Sequence, residues 1–286
     1  MENRLKIAVQ KSGRLQEESL QLLKECGIRI DNGKDQLKAS ARNYPADILF
    51  LRNSDIPQYL EDGVAHIAVI GQNTLVEKQK DVEETLLLGF SRCRLSIAVP
   101  KGTHYEGIGF LQGKKIATSY PNSLSLFLQA NNIQAEIHEI SGSVEIAPNI
   151  GLADAICDLV STGSTLFQNG LEEKEVLLRS EACIAASRQI PAGVKPLFEK
   201  LIFRIKSVLA ARSHKYLLMN APNDCLERII EILPGMKSPT VMPLATEGWS
   251  SVHTVITEDR FWEIIEQLKE NGAQGILVVP IEKMIL

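Results

Sequence analysis

No stretch of this chain is long and apolar enough to cross a membrane, and the opening MENRLKIAVQ runs straight into a strand-like segment with no secretory core. A cytoplasmic protein with no membrane partner is the expectation. No CxxC pair occurs either. The five cysteines, Cys26, Cys93, Cys157, Cys183 and Cys225, are scattered, several within apolar runs. That predicts reduced, mostly buried thiols and excludes a disulfide framework or a cysteine metal cluster. Basic charge is not in excess: the formal net charge of -4 argues against a broad nucleic-acid-binding face, though it permits a local basic cleft. What the chain does have is an ordinary globular composition, 44% hydrophobic and 23% charged over 286 residues, enough for two or three domains.

Strand, polar turn and helix alternate along the first two thirds. Residues 6–10 read as a buried strand, followed by the turn Lys11 to Leu15 and an amphipathic helix over 16–26. Residues 46–52 and 66–71 read as further strands, ending at Arg52 and at Gly71. Lys11 and Arg14 flank a strand's carboxyl end, where a polyphosphate is well received, although solvated turn cations have the same pattern. Residues 93–100 are apolar at alternate positions before a proline and predict a crossing into a second lobe. There, 114–121 and 136–140 are strands, with a helix after Tyr120. A strand over 181–187 returns to the first lobe. Two such lobes joined by two crossings enclose a cleft. A long helix over 196–212 follows, after which the pattern becomes β-α-β-β-α-β, the ferredoxin-like order, with no catalytic constellation of its own.

The chemistry concentrates between Glu145 and Leu166, EIAPNIGLADAICDLVSTGSTL. AICDLV fits a helix or a strand; a short helix over 147–153 followed by a buried strand over 155–160 suits the apolar spacing best. Ser161, Thr162, Gly163, Ser164 and Thr165 then lie at the strand's carboxyl end, where open α/β sheets place ligands. Four hydroxyls, a glycine free to take positive φ and the amides of a turn make a cradle for a phosphate dianion. No Walker-type lysine is present. Asp158 would then face whatever hangs from the phosphate, and a ribose diol suits a carboxylate that accepts from two hydroxyls at once. The bland alternative is a hydroxyl-rich helix cap after a strand that ends in aspartate.

This stretch resembles the signature of the ATP phosphoribosyltransferase family through Glu145, Gly151, Ala153, Ile156, Asp158, Leu159, Thr162, Gly163, Thr165 and Leu166. The resemblance extends to QKSGRL at 10–15, RNSDIP at 52–57, ATSYP at 117–121, and to the segments SPTVMPLA and GAQGILVVPIEKM near the end. It implies an α/β fold, a bilobal periplasmic-binding-protein-like catalytic core with a C-terminal ferredoxin-like α+β regulatory domain. Lobe I would comprise 1–94 plus 183–212, lobe II 95–182, and the regulatory domain 213–286. The implied substrates are ATP and phosphoribosyl pyrophosphate, with Mg²⁺ carried by substrate oxygens and no dedicated protein metal ligands. Glu145 and Asp158 would be catalytic. Asp158 and Ser161 to Thr165 would hold phosphoribosyl pyrophosphate, while Lys11, Arg14, Arg52, Gly71 and Tyr120 would hold ATP. Histidine would act as allosteric inhibitor near Asn220, Thr240 and Ala273, in a homo-oligomer that exists as dimer and hexamer. Ser12 departs from many members, which have proline there, and Asn220 from some, which have an acidic residue near the histidine amine. The competing class is a non-catalytic bilobal binding protein with an appended sensor domain.

Overall fold

The computed structural model describes residues 3–31, 36–233 and 238–285. By packing, the chain forms two compact units, Met1–Lys24 with Ile28–Phe198, and Glu25–Gly27 with Glu199–Leu286.

The first unit holds two sheets. One begins with β1 (Leu5–Gln10), α1 (Arg14–Glu25), β2 (Lys38–Ser40), β3 (Ala46–Leu51), α2 (Ile56–Glu61), β4 (Ile67–Gly71), α3 (Gln72–Lys78) and β5 (Val82–Leu87). The chain then crosses into the other through β6 (Cys93–Pro100), β7 (Lys115–Thr118), α4 (Pro121–Ala130), β8 (Glu136–Glu139), β9 (Ala155–Val160), α5 (Ser164–Gln168) and β10 (Leu171–Ser180), and β11 (Ala182–Ser187) returns. The strand orders are β2-β3-β1-β4-β11-β5 and β10-β6-β9-β7-β8. The expected bilobal core with two crossings is therefore present. In the first sheet β1 lies parallel between β3 and β4. Its near-continuous apolar run, with Leu5, Ile7, Ala8 and Val9 fully buried, is what a strand covered on both faces requires. In the second, β9 runs parallel to β7 and antiparallel to β6. Ala155 and Cys157 pack into one core cluster and Ile156 and Val160 into another, the period of two that makes 155–160 a strand.

The expected helix over 147–153 does not form. A 3-10 turn at Val144–Ile146 leads into irregular turns instead. Pro148 has no N–H to continue a helix, and Gly151 takes φ +74. Three strands escape the sequence reading. β5 and β10 are rich in glutamate and β2 is very short, so pairing with a neighbour, and not apolar content, makes them strands.

The second unit contains most of α6 (Lys195–Arg212), then β12 (His214–Pro222), α7 (Leu226–Ile232), β13 (Thr240–Pro243), β14 (Trp249–Thr257), α8 (Glu258–Glu270) and β15 (Gln274–Pro280). The antiparallel order β13-β14-β12-β15 is the ferredoxin-like sheet. Leu217, Met219, Val252 and Ile256 alternate onto the face that packs on Phe261, Ile264 and Leu268 of α8. Thr257 caps α8 by accepting from Arg260 N–H, and Glu258 and Asp259 complement the dipole. The division between units falls inside α6, ahead of the boundary at 212 expected from sequence. Arg204 donates to the Cys26 carbonyl, Arg212 pairs with Glu25, and Met284 N–H donates to the Ser207 carbonyl, which together hold most of α6 in the second unit.

Candidate functional site

Strand β9 delivers Asp158 two residues before the turn at Val160, on the face shared by Ile156 and Val160. The turn that follows is governed by Gly163, which takes φ +83 at the start of α5. Thr162 Oγ1 lies 3.1 Å from Ser164 Oγ, so these two hydroxyls of the loop meet across the turn. Together these residues line a cavity of ≈ 290 Å³ with Glu145, Asp158 and Ser161 to Thr165 in its wall. The structure thus gathers Glu145, supplied by the 3-10 turn, with Asp158 and the whole loop.

Asp158 is half-buried, and that burial, with the Glu145 carboxylate adding to it, pushes its pKa above the ordinary aspartate value. Among the described residues its one hydrogen bond comes from its neighbour's N–H, Leu159 to Oδ1 at 2.8 Å. Tyr120 stands one strand away at the end of β7; burial, then the Asp158 charge, raises its phenol above the usual range. Among the described residues no group of three or more His, Cys, Asp or Glu is arranged to hold a metal. The donor set here, two carboxylates and several hydroxyls, fits an ion that arrives with substrate phosphates and keeps its waters.

In lobe I the register Gln10↔Leu51 sets Lys11 and Arg52 side by side, just past the carboxyl ends of the parallel strands β1 and β3. Gly71 ends the next parallel strand, β4. Lys11, Arg14 and Arg52 are exposed, and Arg14 pairs with Glu18 at 3.2 Å. Gly71 has a packing reason of its own: a Cβ there would come within 2.4 Å of Asn73 Oδ1. In the second unit Asn220 and Thr240 lie on the sheet face away from the helices, with β14 between their strands. Ala273 does not join them. Its methyl is buried in the helix-side core, and its N–H donates to the Leu268 carbonyl to close α8.

Three further features were not anticipated. Arg94 on β6 forks onto Glu173 of β10 with two ion-paired contacts and also donates to the Ser161 carbonyl at 3.2 Å, which ties down the start of the loop. Ser96 Oγ donates to the same carboxylate at 2.7 Å. Arg94 and Ser96, two apart in an apolar strand, were the available signal that this face meets a polar partner. Asn53 lies beside Arg52 and donates to Thr74 Oγ1 at 2.7 Å, yet its Oδ1 is the one buried side-chain oxygen among the described residues that has no hydrogen-bond partner. Glu77, buried within α3, had no sequence signal at all.

Comparison with known proteins places this geometry. The family model for ATP phosphoribosyltransferase matches residues 52–207, and that for its C-terminal domain matches 211–283. The ATP phosphoribosyltransferase of Cytophaga hutchinsonii is 56% identical over 98% of this chain and 98% of its own length. That of Phocaeicola vulgatus is 55% identical over 99% of this chain and 100% of its own. A solved chain from the ATP phosphoribosyl transferase (HisG:HisZ) complex of Thermotoga maritima superposes with a TM-score of 0.60 at 30% identity, covering 71% of this chain and 98% of that one. A two-lobed α/β core with this loop and an appended α+β domain is therefore that of a pentosyltransferase. The chain belongs to the ATP phosphoribosyltransferase family, in the long form that carries the C-terminal domain. No described helix is long and apolar enough to cross a membrane.

Proposed function

We propose that the cleft joins ATP to 5-phosphoribosyl 1-pyrophosphate, giving N1-(5-phospho-β-D-ribosyl)-ATP and pyrophosphate, the first step of histidine biosynthesis, in the cytoplasm. The observation that carries this reading is the cavity in which Asp158 and Glu145 stand over the hydroxyl loop Ser161 to Thr165. The loop hydroxyls and amides hold the 5-phosphate. The ribose hydroxyls donate to Asp158, replacing the solvent that burial has removed from it.

The C1–O bond to pyrophosphate breaks as the adenine N1–C1 bond forms, so positive charge builds on the sugar and negative charge on the leaving group. Positioning and electrostatics carry such a displacement. The Asp158 charge stabilises the sugar side. Lys11, Arg14 and Arg52 offer positive charge to the polyphosphates from the lobe I strand ends, and Gly71, whose missing Cβ makes room for Asn73 Oδ1, ends the adjoining strand beside them. Asn53 Oδ1, lacking a donor, is a further ready acceptor beside Arg52. Tyr120 contacts the nucleotide or ribose. Glu145 faces the adenine amino group, which must lose a proton as N1 becomes alkylated. Mg²⁺, when bound with pyrophosphate, supplies charge neutralisation, with Asp158 and Glu145 the carboxylates that line the cavity.

Histidine inhibits through the C-terminal domain in a dimer or hexamer of this chain, with Asn220 and Thr240 on the contacting face and the backbone turn at Ala273 nearby. The regulatory function is placed in this chain's own domain, so no accessory subunit is invoked. An ultraviolet assay with ATP, phosphoribosyl pyrophosphate, Mg²⁺ and pyrophosphatase, with and without histidine, tests both parts. Product that histidine suppresses is expected. Product without suppression would reject the role given to the C-terminal domain, and no product from folded protein would favour the binding-protein class.

A further inference from the structure

Helix α3 belongs to lobe I by sequence, since it follows directly on β4, but both its ends are tied to lobe II. At its start Asn73 N–H donates to Ser180 Oγ at 3.0 Å, and that hydroxyl donates to Asn73 Oδ1 at 3.0 Å. At its end stands Glu77, only 5% exposed. Its Oε2 accepts from Ser123 N–H at 2.9 Å and Ser123 Oγ at 2.7 Å, and its Oε1 accepts from Asn122 N–H at 3.1 Å. Asn122 Nδ2 donates to the Glu77 carbonyl at 2.9 Å.

The receiving element is the first turn of α4. Pro121 opens that helix without an N–H, and Tyr120, at the capping position, provides no side-chain cap. The free amides of the first turn must therefore find acceptors elsewhere. A cap taken from the other lobe is also a lobe–lobe contact, because the lobes cannot part here without stranding a buried carboxylate and several donors. Tyr120, at this junction, lies within the electrostatic reach of both Asp158 and Glu77.

We propose that Glu77 is a positioning residue that latches lobe I onto the first turn of α4 and thereby sets Tyr120 beside Asp158 and fixes the separation of the two substrate half-sites. The inference rests on the reading above, in which lobe I strand ends hold the nucleotide and the lobe II loop holds the phosphoribosyl group. The loop lies wholly within lobe II. Loss of the latch should then spare phosphoribosyl pyrophosphate binding and damage the step that needs both lobes.

Two measurements on the full chain decide it. The first is the nitroxide distance distribution between labels at Gln58 in lobe I and Gln129 in lobe II, both exposed, introduced as a noncanonical amino acid so that the native cysteines stay. It should be narrow in the unsubstituted protein and broad in Glu77→Ala. The second is a comparison of kcat with calorimetric binding of phosphoribosyl pyrophosphate alone. Glu77→Ala should lower kcat about 100-fold, the scale of a displacement of about 1 Å in a reacting pair. Binding should stay within about twofold, as for sites that share no partners. Glu77→Gln keeps one acceptor for Ser123 but turns an amide toward Asn122 N–H, so it should recover part of kcat. An unchanged distance distribution, or kcat and binding falling together, would overturn the latch and leave Glu77 a structural cap. Should the unsubstituted protein make no product, the catalytic reading falls while the distance distributions still decide the latch.

Discussion

Two half-buried carboxylates in the same five-stranded sheet are surrounded in opposite ways. Asp158, in the wall of the cavity, has burial and a like charge against it and, among the described residues, only the N–H of Leu159 in its favour, so its pKa is raised. Glu173, on edge strand β10, receives the Arg94 fork and the Ser96 hydroxyl, and Arg94 holds its pKa below the ordinary glutamate value. A saturated carboxylate is already committed to its neighbours and acts as scaffold. One left short of donors is free to take them from a ligand, which is why strained ionisation concentrates at sites of binding and chemistry. Asp158 keeps its acceptors open toward the cavity, and Glu173 holds Arg94, which ties down the start of the loop.

The comparison breaks most visibly at Asp158. Asp158→Asn should lower kcat/KM for phosphoribosyl pyrophosphate about 100-fold or more, the scale of losing a charge placed for the transition state, with a much smaller change in the ATP requirement. Equal losses for both substrates would remove Asp158 from the ribose. Its thermal stability should move the other way. A group whose folded pKa is raised contributes stability that is present below its unfolded pKa and is lost as pH rises through the folded value. The asparagine variant should therefore melt higher than the unsubstituted protein at neutral pH, and the difference should close below about pH 4. A lower melting temperature at neutral pH would mean that Asp158 is a satisfied structural group.

Much of this region was legible because it is local. Glu145, Asp158 and the loop lie within one short span, the period-two burial of β9 follows from its apolar residues, and Gly163 announces its own positive φ. The β-α-β-β-α-β order of the C-terminal domain was legible for the same reason. Illegible were features made by partners distant in sequence. Nothing near Glu173 marks it as the mate of Arg94, and nothing near Glu77 marks α4 as its destination. The helix assigned to 147–153 failed because apolar spacing was allowed to outweigh Pro148 and Gly151. The burial of the Ala273 methyl was not legible, because a glycine-flanked turn signals backbone freedom but says nothing of where a side chain goes.

A smaller effect sharpens the scaffold side. Arg94→Ala leaves Glu173 partly buried without its partner and frees the Ser161 carbonyl. Because the pair is about one quarter exposed, at 27% and 24%, the loss falls below that of a fully buried pair, about 2 kcal/mol in unfolding free energy. The KM for phosphoribosyl pyrophosphate should rise with it, since the loop loses an anchor. Replacing both partners, as Arg94→Met with Glu173→Met, should recover part of the stability because no charge is stranded, yet it should not recover KM. If the double variant restores both, the fork serves stability alone. The pH behaviour also opposes that of Asp158: a depressed folded pKa gives stability that is present above the unfolded value and lost as pH falls through the folded one. Glu173→Gln should therefore be destabilised at neutral pH and converge with the unsubstituted protein in acid.

The smallest effect separates shape from charge in the loop itself. Gly163 holds φ +83, and the nearest atom a Cβ would meet is Val160 Cγ1 at 4.0 Å, so space is available and only the backbone conformation objects. Gly163→Ala should cost about 1 kcal/mol through the left-handed conformation, and Gly163→Asn less, because asparagine tolerates that region. Neither changes a charge or a hydroxyl. If the loop binds phosphate through a fixed turn, Gly163→Ala should raise KM for phosphoribosyl pyrophosphate more than Gly163→Asn does, with the order of KM following the order of stability. A large rise in KM for asparagine with little loss of stability would show instead that the ligand needs the space above Gly163, which would move the phosphate from the hydroxyls onto the glycine backbone.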